Sequence, residues 1–324
     1  MNETYLGYST NQQIRYKATS GGIGTSLLKY LFEHKLISSS ISFEYNSESL
    51  QYYPTIIYNY NDYKISGSIY HEIDLVNFIR QNIKQIKGDF ACFALPCQSK
   101  AIKTIIEKNG HHCYIIGLTC SSQQSIQATS FLLTKLHLKR SEIAYIQYRG
   151  NGWPSGIQIS LKNNQVVFVP NNNSIWTRIF HSRIFIQNRC FKCQDTLNKN
   201  SDITLADPWL SNILSSHMNS AIMKVDTIGQ TLIHCNTEKG KQILLQAFSS
   251  SYIYISEFNK EFLILSQQST LKRKESYKKH KKLTTLFRKI IHSPIYIFLI
   301  EKIPYIFNFH CFIKQKFEYL IQKR

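Results

Sequence analysis

Four of the eight cysteines stand where their thiolates could share one metal centre. Cys190 and Cys193 are separated by two residues, a spacing that lets both sulfurs reach the same ion or cluster. Cys97 and Cys120 each follow a short apolar segment that predicts a strand. Soft sulfur ligands select iron–sulfur clusters or zinc, and a 4Fe–4S cluster takes four thiolates. We therefore predict that these four cysteines are metal ligands, and their spacing leaves a cluster and a tetrahedral zinc site both open. Four buried free cysteines without a metal are the alternative.

The other four cysteines are not predicted to take part in this chemistry. Cys92 and Cys113 lie within apolar runs, and we interpret both as core residues because a buried cysteine packs like a small hydrophobe. Cys235 and Cys311 have no partner nearby in the sequence, so neither is given a role.

Two glycine-containing loops could bind a ligand. Ser20-Gly21-Gly22 precedes an apolar helical segment, where small residues allow a close approach and free N–H groups attract an anion. The second loop, residues 148–154, combines glycines with Arg149, which can hold phosphate, and Trp153, which can stack on a ring. An ordinary glycine-rich helix start and a simple hairpin connection are the alternatives. Asp207 follows a strand-like run, where it could line a pocket or cap the strand.

The predicted elements place two of the cysteines side by side. A short apolar run, an amphipathic segment and a second apolar run, residues 89–95, 98–108 and 113–118, predict a parallel strand–helix–strand unit. Cys97 and Cys120 follow its two strands, and ligands bind at the carboxyl ends of parallel strands. Further strands are predicted at 40–45, 55–58, 143–148, 157–161 and 166–169, and helices at 71–86 and 125–136. The sequence predicts an α/β (α+β) fold with a mixed sheet.

Composition and charge limit the class of protein. With 324 residues and 43% apolar residues the chain can bury a real core, which excludes a mainly disordered protein. The net charge is +19, and residues 271–324 hold 14 basic and 3 acidic residues, so 14 − 3 = +11 of it. No recognised nucleic-acid motif accompanies this charge, so we do not expect nucleic-acid binding.

The basic C-terminal segment is predicted to be helical. Residues 271–282 form a charge run typical of a solvated helix or linker. Residues 286–320 mix bulky apolar side chains with lysines, which suits either an amphipathic helix on an anionic membrane surface or a helix packed on the body. The run at 295–300 is far shorter than the ~20 residues of a transmembrane helix, and residues 1–10 lack a secretory signal. We expect a cytoplasmic protein, with peripheral attachment to the inner face of the membrane as an alternative.

Six motifs, taken in order, resemble the coenzyme F420 hydrogenase/dehydrogenase beta subunit family, which includes the formate dehydrogenase beta subunit and 7-hydroxymethyl chlorophyll a reductase. They are Ser20-Gly21-Gly22, Phe93-Ala94-Leu95-Pro96-Cys97-Gln98, Gly117-Leu118-Thr119-Cys120, the loop Arg149-Gly150-Asn151-Gly152-Trp153-Pro154, Arg189-Cys190-x-x-Cys193-x-Asp195 and Ser201-Asp202-Ile203-x-x-x-Asp207-x-Trp209. The resemblance runs from about residue 6 to about residue 246.

The resemblance implies an oxidoreductase that contains FAD and a 4Fe–4S cluster and exchanges electrons with an electron-carrier protein or redox subunit. It favours a 4Fe–4S cluster over zinc at the four cysteines, and it names coenzyme F420 or ferredoxin as redox partners to consider. It also implies an FAD-contacting domain at 1–70, an iron–sulfur and flavin domain at 71–250, and the basic helical tail at 251–324. The FAD-contacting residues it implies are Ser20, Gly21, Gly22, Thr25, Arg149, Asn151, Gly152, Trp153 and Asp207.

The chain departs from the family pattern in two ways. Many relatives begin with a cysteine-rich, ferredoxin-like module, whereas the first cysteine here is Cys92, so we expect one cluster at most. Ala94, Ser122 and Ala206 stand where the family tends to have glycine, which leaves a zinc-stabilised or cofactor-poor accessory protein on the same scaffold as the alternative. The motifs identify neither a catalytic residue nor the substrate.

Overall fold

The computed structural model describes residues 3–209 and 228–323. This part of the chain contains 11 strands and 12 helices. The strands are β1 (Thr4–Ser9), β2 (Ser39–Asn46), β3 (Gln51–Ile57), β4 (Phe90–Ala94), β5 (Cys113–Leu118), β6 (Ile143–Gln147), β7 (Gly156–Leu161), β8 (Val166–Pro170), β9 (Ile203–Ala206), β10 (Thr231–Cys235) and β11 (Ile253–Glu257). The helices are α1 (Gln12–Lys17), α2 (Ile23–Glu33), α3 (Leu75–Gln81), α4 (Pro96–Lys108), α5 (Ile126–Lys135), α6 (Ile175–Ser182), α7 (Glu238–Ser249), α8 (Lys260–Ser266), α9 (Gln268–Lys279), α10 (Lys281–Ile291), α11 (Pro294–Lys302) and α12 (Pro304–Lys323).

Eight strands form one mixed sheet in the order β11-β1-β10-β9-β5-β4-β2-β3. Its centre is parallel, because β4 pairs with β2 and β5, and β5 pairs with β9. The flanking pairs, including β1 with both β10 and β11, are antiparallel. The predicted mixed α/β fold and its parallel β4-α4-β5 unit are therefore confirmed. The sheet draws strands from all three expected segments, 1–70, 71–250 and 251–324.

The β4-α4-β5 unit forms for reasons visible in its sequence. Strand β4 is apolar throughout, as expected for a central strand that helices cover. Cys92 and Cys113 are both fully buried, as predicted. Pro96 occupies the first turn of α4, where its missing N–H costs nothing. The side chain of Gln98 accepts a hydrogen bond from the Leu95 N–H at 3.1 Å, which fixes the strand-to-helix turn that carries Cys97.

A second sheet, β6-β7-β8, is an antiparallel meander that packs beside the large one. Its turn at Asn164 takes a positive φ of 67°, which asparagine tolerates well. Buried side chains of α5 and α6, among them Phe131 and Trp176, join its inner face in one apolar core. The end of β6 leads directly into the loop that carries Arg149.

The C-terminal helices pack on the body along one face. Ile300 and Phe307 are buried in the core that contains Trp176. Residues 271–282, expected to be a solvated helix or linker, lie mainly in α9, which buries Arg273 and Lys274. The helix is therefore present, but the expectation that it is solvated was wrong, because a charge run does not reveal which face of a helix packs on the protein. The segment expected to be helical from residue 251 also opens with a strand, β11.

The outer face of these helices carries exposed apolar side chains. They include Ile295, Phe298, Tyr305, Phe309, Phe312 and Leu320. Within residues 3–209 and 228–323, no single helix is both long and apolar enough to cross a membrane. Helices α10 and α11 meet that requirement only when taken together, and they are bent by 57°.

Candidate functional site

The four predicted metal ligands line one small cavity of about 220 Å³. Cys97 lies in the first turn of α4, and Cys120 follows β5, where its N–H donates to the carbonyl of Thr196 at 3.0 Å. Cys190 and Cys193 come from the loop after α6, in and just after the short 3₁₀ turn Asn188–Phe191. The cavity thus collects thiols from two strand ends and one Cys-x-x-Cys loop, as the sequence predicted for their placement.

Burial and hydrogen bonding set the electrostatics of these thiols. Burial raises the pKa of Cys120 to about 12, although the nearby Lys274 ammonium works in the opposite direction. Burial also raises the pKa of Cys190, against the opposing effects of a hydrogen bond and of Arg189. That hydrogen bond comes from the Gln123 N–H, which donates to Cys190 Sγ at 3.5 Å. Because burial is the larger effect in both cases, these two thiols favour their neutral form.

Among the residues that the structure describes, no group of three or more His, Cys, Asp or Glu side chains is arranged to hold one metal ion. The four cysteines line the cavity together. A tetrahedral zinc ion needs its sulfurs at about 2.3 Å from one centre, whereas a cluster occupies the volume between its ligands.

Lys274 is a further residue of this cavity, and it was not predicted from the sequence. Its Nζ donates to Cys193 Sγ at 3.6 Å and to the carbonyl oxygens of Cys120 and Asp195 at 2.9 and 2.8 Å. The signal was present in the spacing of α9, because Thr270, Lys274 and Tyr277 fall on one helical face.

A larger cavity of about 590 Å³ lies beside the first. This volume falls within the range of about 300–1,000 Å³ that is typical of ligand sites. Five of the predicted FAD-contacting residues line it, namely Ser20, Gly22, Thr25, Arg149 and Asp207. Gly22 takes a φ of 77°, a left-handed conformation that favours glycine, just before α2 begins.

Arg149 is the charged side chain that organises one wall of the large cavity. It is 3% exposed, and its Nη1 lies 2.5 Å from Asp207 Oδ2. Its Nη2 donates to the carbonyl oxygen of Thr19 at 3.1 Å, which ties the second loop to the first. Burial opposes the charge on Arg149 most strongly, but Asp207 and Tyr70 together outweigh burial, so the pKa of Arg149 is raised. The guanidinium also lies beside the rings of Trp153 and Trp209, at 5.2 and 5.5 Å from their centroids.

The other four predicted FAD contacts do not line the large cavity. A Cβ on Gly21 would lie 2.6 Å from the carbonyl oxygen of Gly7, so this glycine permits close packing of two backbone segments. Asn151 donates to the side chains of Gln147 and Gln158. The N–H of Gly152 donates to the carbonyl of Tyr16, and the Trp153 ring packs at 4.8 Å from that of Trp209. These residues shape the loop that carries Arg149.

The two cavities share part of their walls. Both are lined by Leu95, Cys120, Ser121, Ser122 and Gln123. A ligand in the large cavity would therefore be separated from the thiol cavity by a single layer of residues.

The three positions that depart from the family's glycines all line the large cavity. They are Ala94, Ser122 and Ala206. The Ser122 hydroxyl accepts a hydrogen bond from Arg183 Nη1 at 3.1 Å, so it is held by the body. The side chains at the other two positions add only a methyl group each.

These features define an α/β protein with a thiol-lined cavity adjoining a larger ligand cavity at the carboxyl ends of parallel strands. Two family models match the chain: the N-terminal part of the coenzyme F420 hydrogenase/dehydrogenase beta subunit at residues 4–80, and its C-terminal part at residues 88–261. The chain belongs to the coenzyme F420 hydrogenase/dehydrogenase beta subunit family.

The fold is also similar to that of a solved structure. A chain from the F420-reducing NiFe hydrogenase complex of Methanosarcina barkeri, studied by xenon derivatization, superposes with a TM-score of 0.61 at 15% sequence identity. The match covers 84% of this chain and 89% of that chain. At this identity the likeness concerns the fold. No curated protein sequence matches this chain.

Proposed function

We propose that this member of the family is an oxidoreductase that uses FAD and one 4Fe–4S cluster to pass electrons to or from a partner. The observation that carries the proposal is the common wall of the two cavities, with Cys120 in both linings. A flavin in one cavity and a cluster in the other would be close enough to exchange electrons through this wall. The flavin and the cluster would supply the redox chemistry, and the protein would hold them in place.

Cys97, Cys120, Cys190 and Cys193 would hold the cluster. Their soft sulfur donors suit iron–sulfur ligation, and their placement around a space of about 220 Å³ suits a multi-atom cluster. The Gln123 N–H and the Lys274 ammonium, which already donate to two of the sulfurs, would continue to do so with thiolates. Hydrogen bonds to cluster sulfurs are among the factors that set a cluster's potential.

FAD would occupy the large cavity. The start of α2, with Ser20, Gly22 and Thr25, offers a glycine turn and free N–H groups to an anionic group. Arg149, fixed by Asp207, would place its guanidinium in the same wall. In this proposal the segment 1–70 contributes the helix start, and the segment 71–250 contributes Arg149 and the cysteines.

The partner would be an electron-carrier protein or a redox subunit. The structural neighbour comes from an F420-reducing hydrogenase complex, which makes coenzyme F420 a candidate substrate and assembly with redox subunits a candidate arrangement. Cys97, Arg189 and Lys192 are exposed beside the thiol cavity. A carrier with an acidic surface, such as a ferredoxin, would be attracted to this basic rim.

Anaerobic purification followed by visible spectroscopy tests the two cofactors together. We expect flavin bands and a broad iron–sulfur absorption, with FAD released in about a one-to-one ratio on denaturation. A colourless protein that contains zinc would instead support the alternative of a zinc-stabilised accessory protein on the same scaffold.

The position of FAD is tested by filling the large cavity. Thr25 lines it from the first turn of α2, so Thr25→Phe should abolish flavin retention, whereas the matched control Thr25→Ser should keep it. Circular dichroism of both variants checks that the fold persists. Full FAD stoichiometry in folded Thr25→Phe protein would place the flavin elsewhere.

A second candidate role is attachment to an anionic membrane surface. The outer face of α10 to α12 exposes large apolar side chains such as Ile295, at 75%, and Tyr305, at 81%, among many lysines. Such a face suits the membrane interface, where apolar burial and attraction to anionic lipids add up. Replacing Ile295 and Tyr305 together by serine should weaken co-sedimentation with vesicles rich in phosphatidylserine. Equal sedimentation of wild type and variant would reject this role.

A further inference from the structure

Lys274 is a buried lysine whose charge has no carboxylate partner among residues 3–209 and 228–323. It is 4% exposed, and the three hydrogen bonds of its ammonium go to two carbonyl oxygens and to Cys193 Sγ. A buried ammonium is costly unless a negative charge compensates it. The ammonium already contacts Cys193, one of the four cysteines of the thiol cavity, and these cysteines become thiolates when they ligate a metal.

The helix that carries Lys274 is fixed firmly against this cavity. The neighbouring Arg273 donates to the carbonyl and hydroxyl oxygens of Ser121 at 3.0 and 2.9 Å, directly after Cys120. Tyr277, one turn further along, stacks on Phe191 between the paired cysteines, with ring centroids 5.6 Å apart. Helix α9 lies beyond the region that the family models match, which ends at residue 261.

We propose that Lys274 is the electrostatic partner of the cluster, holding its cysteine ligands in place and raising its reduction potential. The inference rests on the proposed function, because it assumes that the four cysteines hold a cluster. Reduction adds one electron and hence one negative charge to the cluster, with the electron coming from the reductant. A cation fixed at 3.6 Å from one ligand sulfur stabilises the more negative form, and burial limits screening by water and salt.

The experiment compares Lys274→Met, which keeps the length of the side chain, with Lys274→Arg, which keeps the charge. Lys272→Met is the matched control, because Lys272 lies on the same helix but is exposed, so it removes the same charge outside the cavity. Each variant is purified anaerobically as the full chain. Iron content is measured, and the cluster is titrated with dithionite while the reduced form is followed by electron paramagnetic resonance.

We expect Lys274→Met to lower the ratio of reduced to oxidised cluster at least tenfold at a fixed potential, a shift of about 59 mV for one electron. Lys274→Arg and Lys272→Met should stay close to the wild type. If Lys274→Met loses iron while Lys274→Arg keeps it, the holding role of the charge is supported. The inference would be overturned if Lys274→Met and Lys272→Met had equal reduction potentials. It would also be overturned if both Lys274 variants lost the same amount of iron while remaining folded. Absence of iron from the wild type would overturn the proposed function itself.

Discussion

The ion pair between Arg149 and Asp207 should stabilise the fold strongly, whether or not a ligand is present. Asp207→Asn keeps the size of the side chain and removes its charge, which leaves the Arg149 guanidinium buried without its partner. Breaking a buried pair in this way costs about 3–5 kcal/mol. Because the Asp207 side chain is 20% exposed, water can replace part of the interaction, and we expect the lower end, about 3 kcal/mol.

The assay is urea unfolding of the cofactor-free protein, followed by circular dichroism. A loss of about 3 kcal/mol raises the unfolding equilibrium constant by roughly 150-fold, since 1.36 kcal/mol corresponds to a factor of ten. With a slope of about 3 kcal/mol per molar urea, the midpoint should fall by about 1 M. The double variant Arg149→Met with Asp207→Asn should recover part of this loss, because it leaves no buried charge unpaired.

An exposed ion pair provides the matched control. Lys64 Nζ lies 2.9 Å from Glu44 Oε1, and the Lys64 side chain is 62% exposed. Glu44→Gln should leave the urea midpoint close to that of the wild type, since solvent screens such pairs. If Asp207→Asn behaved like Glu44→Gln, the argument from burial would be refuted, and water in the large cavity would have to solvate Arg149 fully.

Three further outcomes are expected. Gly21→Ala should lower the free energy of unfolding even without flavin, because the new Cβ would lie 2.6 Å from the Gly7 carbonyl oxygen; an unchanged urea midpoint would contradict this. Burial lowers the pKa of His71, whose Nε2 accepts a hydrogen bond from the Tyr52 N–H. Neutral His71 therefore stabilises the fold above about pH 6.5, and this contribution is lost as the pH falls and the imidazole is protonated. The urea midpoint should therefore fall between about pH 7.5 and 5.5, and His71→Gln should reduce that fall; equal falls would exclude His71 as the cause. Deleting residues 284–324 should unfold the thiol cavity, because Ile291 and Ile321 pack with Phe191; a folded truncated protein with full iron content would show otherwise.

The sequence was sufficient to predict the parts of the site that depend on local pattern. Cys97 and Cys120 follow two apolar strands flanking one amphipathic helix, and strands in that arrangement pair in parallel, so their ends must be neighbours. The burial of Cys92 and Cys113 follows from the same pattern, because a strand covered on both faces is apolar throughout.

The rest depended on tertiary packing that no local pattern encodes. Gly21 was predicted to contact a ligand, but it packs closely against the backbone of β1. The sequence alone does not distinguish a glycine that leaves room for a ligand from one that leaves room for a neighbouring strand. Lys274 lies in a charge run, and only its one-turn spacing from Tyr277 hinted at a buried face. Asn198 was not singled out at all, although it is fully buried and its side chain joins Ser99 to the carbonyl of Ala94.

The central claim is that Cys97, Cys120, Cys190 and Cys193 together hold one 4Fe–4S cluster. Iron and acid-labile sulfide, measured per chain after anaerobic purification, test it most directly. We expect about four of each in the wild type and in Cys92→Ala, whose thiol lies in the core, and a severe loss in Cys190→Ala. One zinc per chain without iron in the wild type, or full iron and sulfide in Cys190→Ala, would contradict it.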